Sequence, residues 1–168
     1  DVNISGFEII GDNETTYGVV ITPTCSNINI TNNEIHGMSL PNQGNTSPLS
    51  YGILTYGEIT SLPQNLNFSN NHIYNIAGSG ISLGSFTGSA TITNNTIENL
   101  TAVELLGEDF NVGIQAQFCQ SVFIEENNFS NLIMGLNLIY TNATVQTNNY
   151  TDVICYLSHT TTTPINYE

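Results

Sequence analysis

Short runs of alternating apolar and polar residues recur along this chain, each interrupted by a polar pair. Five near-copies stand out: NITNNEIHG (29–37), NFSNNHIYN (67–75), TITNNTIEN (91–99), FIEENNFSN (123–131) and VQTNNYTDV (145–153). Aligned on the apolar residue before the polar pair, Ile30, Phe68, Ile92, Ile124 and Val145 form a column, which Ile4 joins from VNISGFEI. Three positions on lies a column of Asn33, Asn71, Asn95, Asn127 and Asn148, with Phe7 as the first-row exception. Two further come Ile9, Ile35, Ile73, Ile97, Phe129 and Tyr150. A second motif follows each copy, opening at Gly18, Gly52, Gly80, Gly113 and Gly135, and in the last row Tyr156 takes the glycine's place.

Alternation with period two marks strands that bury one face, and no window carries a capped helical period. Each row therefore reads as short strand, polar turn, short strand, turn. A single row cannot bury its apolar side, so rows must stack. Stacked strands lie about 4.8 Å apart, which turns each column into a ladder. The second asparagine of each pair is expected to turn inward, bonding the backbone and the asparagine of the next row, because a buried amide needs such partners. The first is expected to take the left-handed backbone of the corner, which Asn tolerates. The prediction is an all-β, single-stranded parallel β-helix of about six coils over residues 1–159, with 160–168 as a tail or linker.

These rows resemble those of right-handed parallel β-helix proteins of the pectin-lyase-like superfamily, especially the repeats of NosD-like and archaeal or bacterial surface proteins. The resemblance runs from Val2 to about His159. It implies the fold firmly and the function weakly, since the superfamily holds lyases, hydrolases, epimerases, adhesins and structural stalks. Its pectate and pectin lyases place Arg or Lys at the substrate carboxylate, and this chain has neither. Its polygalacturonases group aspartates with basic residues, whereas Asp1, Asp12, Asp109 and Asp152 are scattered. A uronic-acid enzyme is disfavoured, and a neutral-glycan hydrolase with paired carboxylates stays open.

Charge narrows the partners further. The 168 residues contain no Lys or Arg against 14 Asp plus Glu. Nothing is available to neutralise phosphates, which excludes nucleic acid and argues against anionic membranes. No apolar run is long enough to span a bilayer. Trypsin-like proteases find no cleavage site, which suits an exposed extracellular protein. The chain opens in mid-pattern at Asp1-Val2-Asn3-Ile4, as a mature form or an excised fragment would.

Candidate chemistry falls in two places. The variable loops at 11–17, 36–51 and 98–112 are expected on one side of the coil, carrying Asp12, Glu14, Glu98, Glu104, Glu108 and Asp109. Asp12, Glu14, Glu108 and Asp109 are candidate Ca²⁺ ligands, though no defined calcium-loop spacing is present and solvated loop acids are the simpler reading. On the outward strand position, Glu8, Glu34 and His72 occupy successive rows. Glu34 beside His72 is a carboxylate–imidazole pair capable of acid–base work, and Glu104, Glu108 and Asp109 form the other catalytic candidate. No cofactor other than Ca²⁺ is implied. The outward column of Thr31, Ser69, Thr93, Glu125 and Gln146 lacks the regular threonines of an ice-binding face.

Cys25 and Cys119 share a column three rows apart, roughly 14 Å at strand spacing and too far for a disulfide. Free, buried cysteines are expected, with Cys155 in another column. Asn-x-Ser/Thr sequons begin at Asn3, Asn13, Asn29, Asn45, Asn67, Asn94, Asn99, Asn128, Asn142 and Asn149, an expectation of N-glycosylation. A β-helix cut at either end exposes strand edges, so more of the same polypeptide, copies of the chain or other surface proteins are expected there. These features together favour an extracellular, self-associating structural protein of a surface filament, sheath or coat. A carbohydrate-binding or carbohydrate-active module, with Tyr17, Tyr51 and Tyr56 available for stacking on sugars, is the other reading.

Overall fold

The computed structural model describes residues 1–12, 14–39, 49–58, 60–84, 87–105, 108–160 and 166–167. Its described residues hold strands and no helix. Six coils stack in parallel register and enclose one core through three faces.

The first face stacks Val2–Ser5, Ser26–Thr31, Gln64–Ser69, Ser89–Thr93, Ser121–Glu125 and Ala143–Gln146. Asn166–Tyr167 adds a final short strand to it. The second stacks Glu8–Ile10, Glu34–His36, His72–Tyr74, Thr96–Glu98 and the start of two long strands, Asn128–Ile139 and Asn149–Thr160. Those long strands run on into the third face, below Tyr17–Ile21, Ser50–Thr55, Gly78–Leu83 and Val112–Gln117.

The predicted columns are the observed registers. Ile4, Ile30, Phe68, Ile92, Ile124 and Val145 pair in succession on the first face. Ile9, Ile35, Ile73, Ile97, Phe129 and Tyr150 do the same on the second. Both columns point inward, and their central members are fully buried. The third face contributes Ile53, Ile81, Ile114 and Leu136 to the same core.

The glycine column has a steric cause. A Cβ on Gly80 would lie 2.7 Å from Ile97 Cγ2 and 2.8 Å from the carbonyl oxygen of Gly113 in the next coil. Gly18, Gly52, Gly113 and Gly135 meet the equivalent carbonyl at 2.6–2.9 Å. Tyr156 stands in this column opposite Gly135, with its ring stacked on Tyr150 at 5.0 Å.

The corner before the second face is left-handed, as expected, at Asn32, Asn70 and Asn94, with φ of 56° at each. Coils five and six depart from the expected division of labour. There the pair is shifted by one residue, so Glu126 (φ 56°) and Thr147 (φ 47°) make the corner, and the first asparagine of the pair enters the ladder. A second left-handed corner, at Gly37, Asn75, Asn99, Asn131 and Asp152, closes the second face. All three cysteines are free; Cys119 is buried, whereas Cys25, which packs against the core just before Ser26–Thr31, and Cys155, in the sixth coil, are only half-buried.

Candidate functional site

The buried corner and the outward surface of the second face are built by adjacent residues. On the inside, the backbone N–H and side-chain Nδ2 of Asn33 both donate to Asn71 Oδ1 at 3.1 Å. Asn71 repeats this to Asn95, and Asn95 to Asn127, each bond at 3.0 Å. Asn127 does the same to Asn148 at 3.0 Å. Each Nδ2 also donates to a carbonyl of the preceding coil: Ile4, Ile30, Phe68, Ile92 and Ile124, at 2.8–3.1 Å. In coil one Phe7 donates its backbone N–H to Asn33 Oδ1 and offers no side-chain acceptor, so the amide ladder ends there.

On the outside, two outward columns run along the second face: Glu8, Glu34, His72, Thr96, Asn128 and Asn149, then Ile10, His36, Tyr74, Glu98, Ser130 and Thr151. Long side chains reach diagonally between them. His36 Nε2 lies 3.2 Å from Glu8 Oε1. Tyr74 donates its hydroxyl to Glu34 Oε1, and His72 Nε2 lies 2.8 Å from Glu98 Oε1. Ser130 donates to Glu98 Oε2 at 3.1 Å. The rings of His36 and Tyr74 stack at 4.6 Å, and His72 and Tyr74 meet at 4.5 Å. The hydrogen bond to the Glu34 carboxylate holds the Tyr74 phenol in its neutral form and pushes its pKa up to about 12.

Glu34 and His72 are register partners, yet their polar atoms are engaged elsewhere: Glu34 with Tyr74, His72 with Glu98. Sheet twist favours one diagonal over the direct neighbour, and long side chains span it. Sequence reasoning read only the first outward column, and so missed His36 and Tyr74 and placed Glu98 in a loop rather than on the strand Thr96–Glu98. Their signal was available, since residues i and i+2 of a strand share a face.

The loop acids do not form one cluster. Asp12 belongs to coil one, where its Oδ1 accepts from the Glu14 N–H at 2.9 Å and the Thr15 hydroxyl at 2.7 Å. Those bonds stabilise the carboxylate and lower its pKa. Glu104, Glu108 and Asp109 lie on an antiparallel hairpin of Val103–Leu105 and Glu108–Phe110 inserted in coil four. They line a shallow, open depression of about 660 Å³ with Ile133 and Ile154, and all three acids are exposed. Glu98 lies in the second face instead, paired with His72. Among the described residues, the only group of three or more potential ligand side chains with mutually close donor atoms is Glu8, Glu34 and His36, whose donor atoms lie within 4.8 Å of one another.

Of the sequon asparagines, Asn3, Asn94, Asn99, Asn128, Asn142 and Asn149 are exposed, and Asn29 and Asn67 are half-buried. Asn67 donates Nδ2 to Asn29 Oδ1, and Asn149 to Asn128 Oδ1. Asn13 and Asn45 lie outside the described residues, as does most of the 160–168 tail. Tyr17 and Tyr51 stack at 5.9 Å on the third face, with Tyr17 and Tyr56 exposed.

A family model for a right-handed β-helix region matches residues 3–151. Comparison with curated proteins and with solved structures yields no match.

Proposed function

The chain belongs to the right-handed β-helix family, and from that premise we propose that it is a structural solenoid of an extracellular surface, a rigid module of a filament, sheath or coat. The observation that carries this reading is the unbroken asparagine ladder from Asn33 to Asn148. It ties coils two to six together inside the core, beside continuous backbone pairing on all three faces, and stiffness is what such continuity supplies. The six sequon asparagines exposed among the described residues and the absence of Lys and Arg in the sequence agree with a hydrated, protease-resistant skin.

The sixth coil is not the last pairing on the first face, where Asn166–Tyr167 stacks on Ala143–Gln146.

Intact-mass measurement of native material, combined with sedimentation, tests the proposal. Glycan-sized additions and a concentration-dependent ordered oligomer are expected. An unmodified monomer at high concentration would sink the structural reading. The competing reading, a carbohydrate-active module, rests on Glu104, Glu108 and Asp109 around their shared depression. Glycan turnover that disappears in Glu108→Gln would replace the structural reading with that one.

A further inference from the structure

We propose that Glu8, Glu34 and His36 form a surface site for a divalent transition ion of the Zn²⁺ class, held between coils one and two. The donor set is mixed: two carboxylates and an imidazole, which suits zinc and its neighbours better than the all-oxygen preference of Ca²⁺ or Mg²⁺. A tetrahedral ion bonded at about 2.0–2.2 Å separates its ligand atoms by roughly 3.3–3.6 Å. His36 Nε2 and Glu8 Oε1 already stand 3.2 Å apart. The third donor, on Glu34, lies within 4.8 Å of both and closes the remaining distance by rotation about its side-chain bonds.

The site is positioned by the fold. Parallel pairing fixes Glu8 against Glu34, with His36 two residues along the same strand and on the same side of the sheet. Tyr74 supports it from coil three in two ways, stacking on the His36 ring at 10° between planes and donating its hydroxyl to Glu34. Partners of this kind orient ligands and tune their basicity. Charge points the same way. With 14 acidic residues, three histidines and no Lys or Arg, the chain has almost no cationic side chain to set against the carboxylates of this face. Two of the three histidines, His36 and His72, stand on it, each against a glutamate. A bound divalent cation supplies the missing positive charge at the one place among the described residues where three donors converge.

The experiment is calorimetric titration of the full chain with Zn²⁺, repeated with Co²⁺ to read coordination from its visible absorption. One ion per chain is expected, with tetrahedral-type Co²⁺ bands. His36→Ala and Glu8→Gln should each weaken binding at least about 100-fold, and Tyr74→Phe about 10-fold. His72→Ala and Asp12→Asn should leave it unchanged. Circular dichroism of each metal-free variant establishes that the fold is intact, and all the substitutions are on the surface. Absence of saturable binding overturns the proposal. So does binding that survives His36→Ala, that is lost equally in His72→Ala, or that occurs for Ca²⁺ with the same dependence on Glu8 and Glu34 but none on His36.

Discussion

Asn71 and His72 are neighbours in sequence and opposites in circumstance. Asn71 is buried, and its amide and backbone N–H make five hydrogen bonds to and from the coils on either side. His72 is half-exposed and shares one hydrogen bond with Glu98 across a wet surface. One register builds both lines, but the inner one has no water to fall back on. A buried amide that loses its partner pays about 1–3 kcal/mol for each group left unsatisfied, whereas an exposed pair contributes between about 0 and 1 kcal/mol. Stability should therefore concentrate on the inside of the corner, and freedom to vary or to bind on the outside.

The largest effect should come from Asn95→Ala. It removes the acceptor for two bonds from Asn71 and the donors to Phe68 O and Asn127 Oδ1, all in the core. A loss of about 3 kcal/mol or more is expected in urea unfolding. Asn148→Ala should cost clearly less, since its ladder is one-sided and the residue is half-buried. Equal losses at the two positions would mean that the ladder does not act coil by coil.

Next comes the glycine column. In Gly113→Ala the new Cβ would lie 2.6 Å from Phe129 Cδ1 and 2.8 Å from Gly135 O. Overpacking of this kind costs about 1–3 kcal/mol. Tyr156, in the same column, should accept Phe with little change, because it is exposed and meets Tyr150 through its ring rather than its hydroxyl. A tolerant Gly113 would remove the steric account of the column.

Tyr150 separates the two environments by titration. Burial pushes its phenol up to about 12 from an ordinary 10.0. The folded chain thus holds this proton more tightly than the unfolded one. Its contribution is whole below about pH 10 and is lost as the pH rises from there towards 12. Tyr150→Phe should flatten that part of the alkaline unfolding curve relative to the parent chain. An unchanged curve would place the Tyr150 ring in water.

The inner line was legible in the sequence and the outer one only in part. Apolar columns at Ile30 and Ile35, the ladder at Asn33 and the glycines at Gly52 and Gly80 all show because stacking repeats the same demand in each coil. Even the shifted pairs at Asn127 and Asn148 fell into the right column when counted from Ile124 and Val145. The outward contacts have no such repetition: Glu8–His36, Glu34–Tyr74 and His72–Glu98 use different chemistry in each coil. Their diagonal partners depend on sheet twist and side-chain reach, which a column alignment cannot convey. Loop acids were harder still, because Asp12 and Glu108 are separated by the height of coils that the alignment counts without measuring.

The smallest effect is expected on the outer line, and it sharpens the comparison most. In a double-mutant cycle, His72→Ala and Glu98→Gln should couple by less than about 1 kcal/mol, because both groups are partly exposed and water replaces what each loses. Added salt should reduce even that, since exposed charges lie within the screening range of the solvent. Ser130, which also donates to Glu98, keeps the carboxylate partnered when His72 is removed. Coupling well above 2 kcal/mol that salt leaves untouched would mean that the outer line behaves as a desolvated network. The contrast between the two sides of the corner would then fail. Weak coupling here, beside a large loss at Asn95, would instead show that burial, acting on residues one position apart, divides the repeat into a part that holds the fold and a part left free to bind.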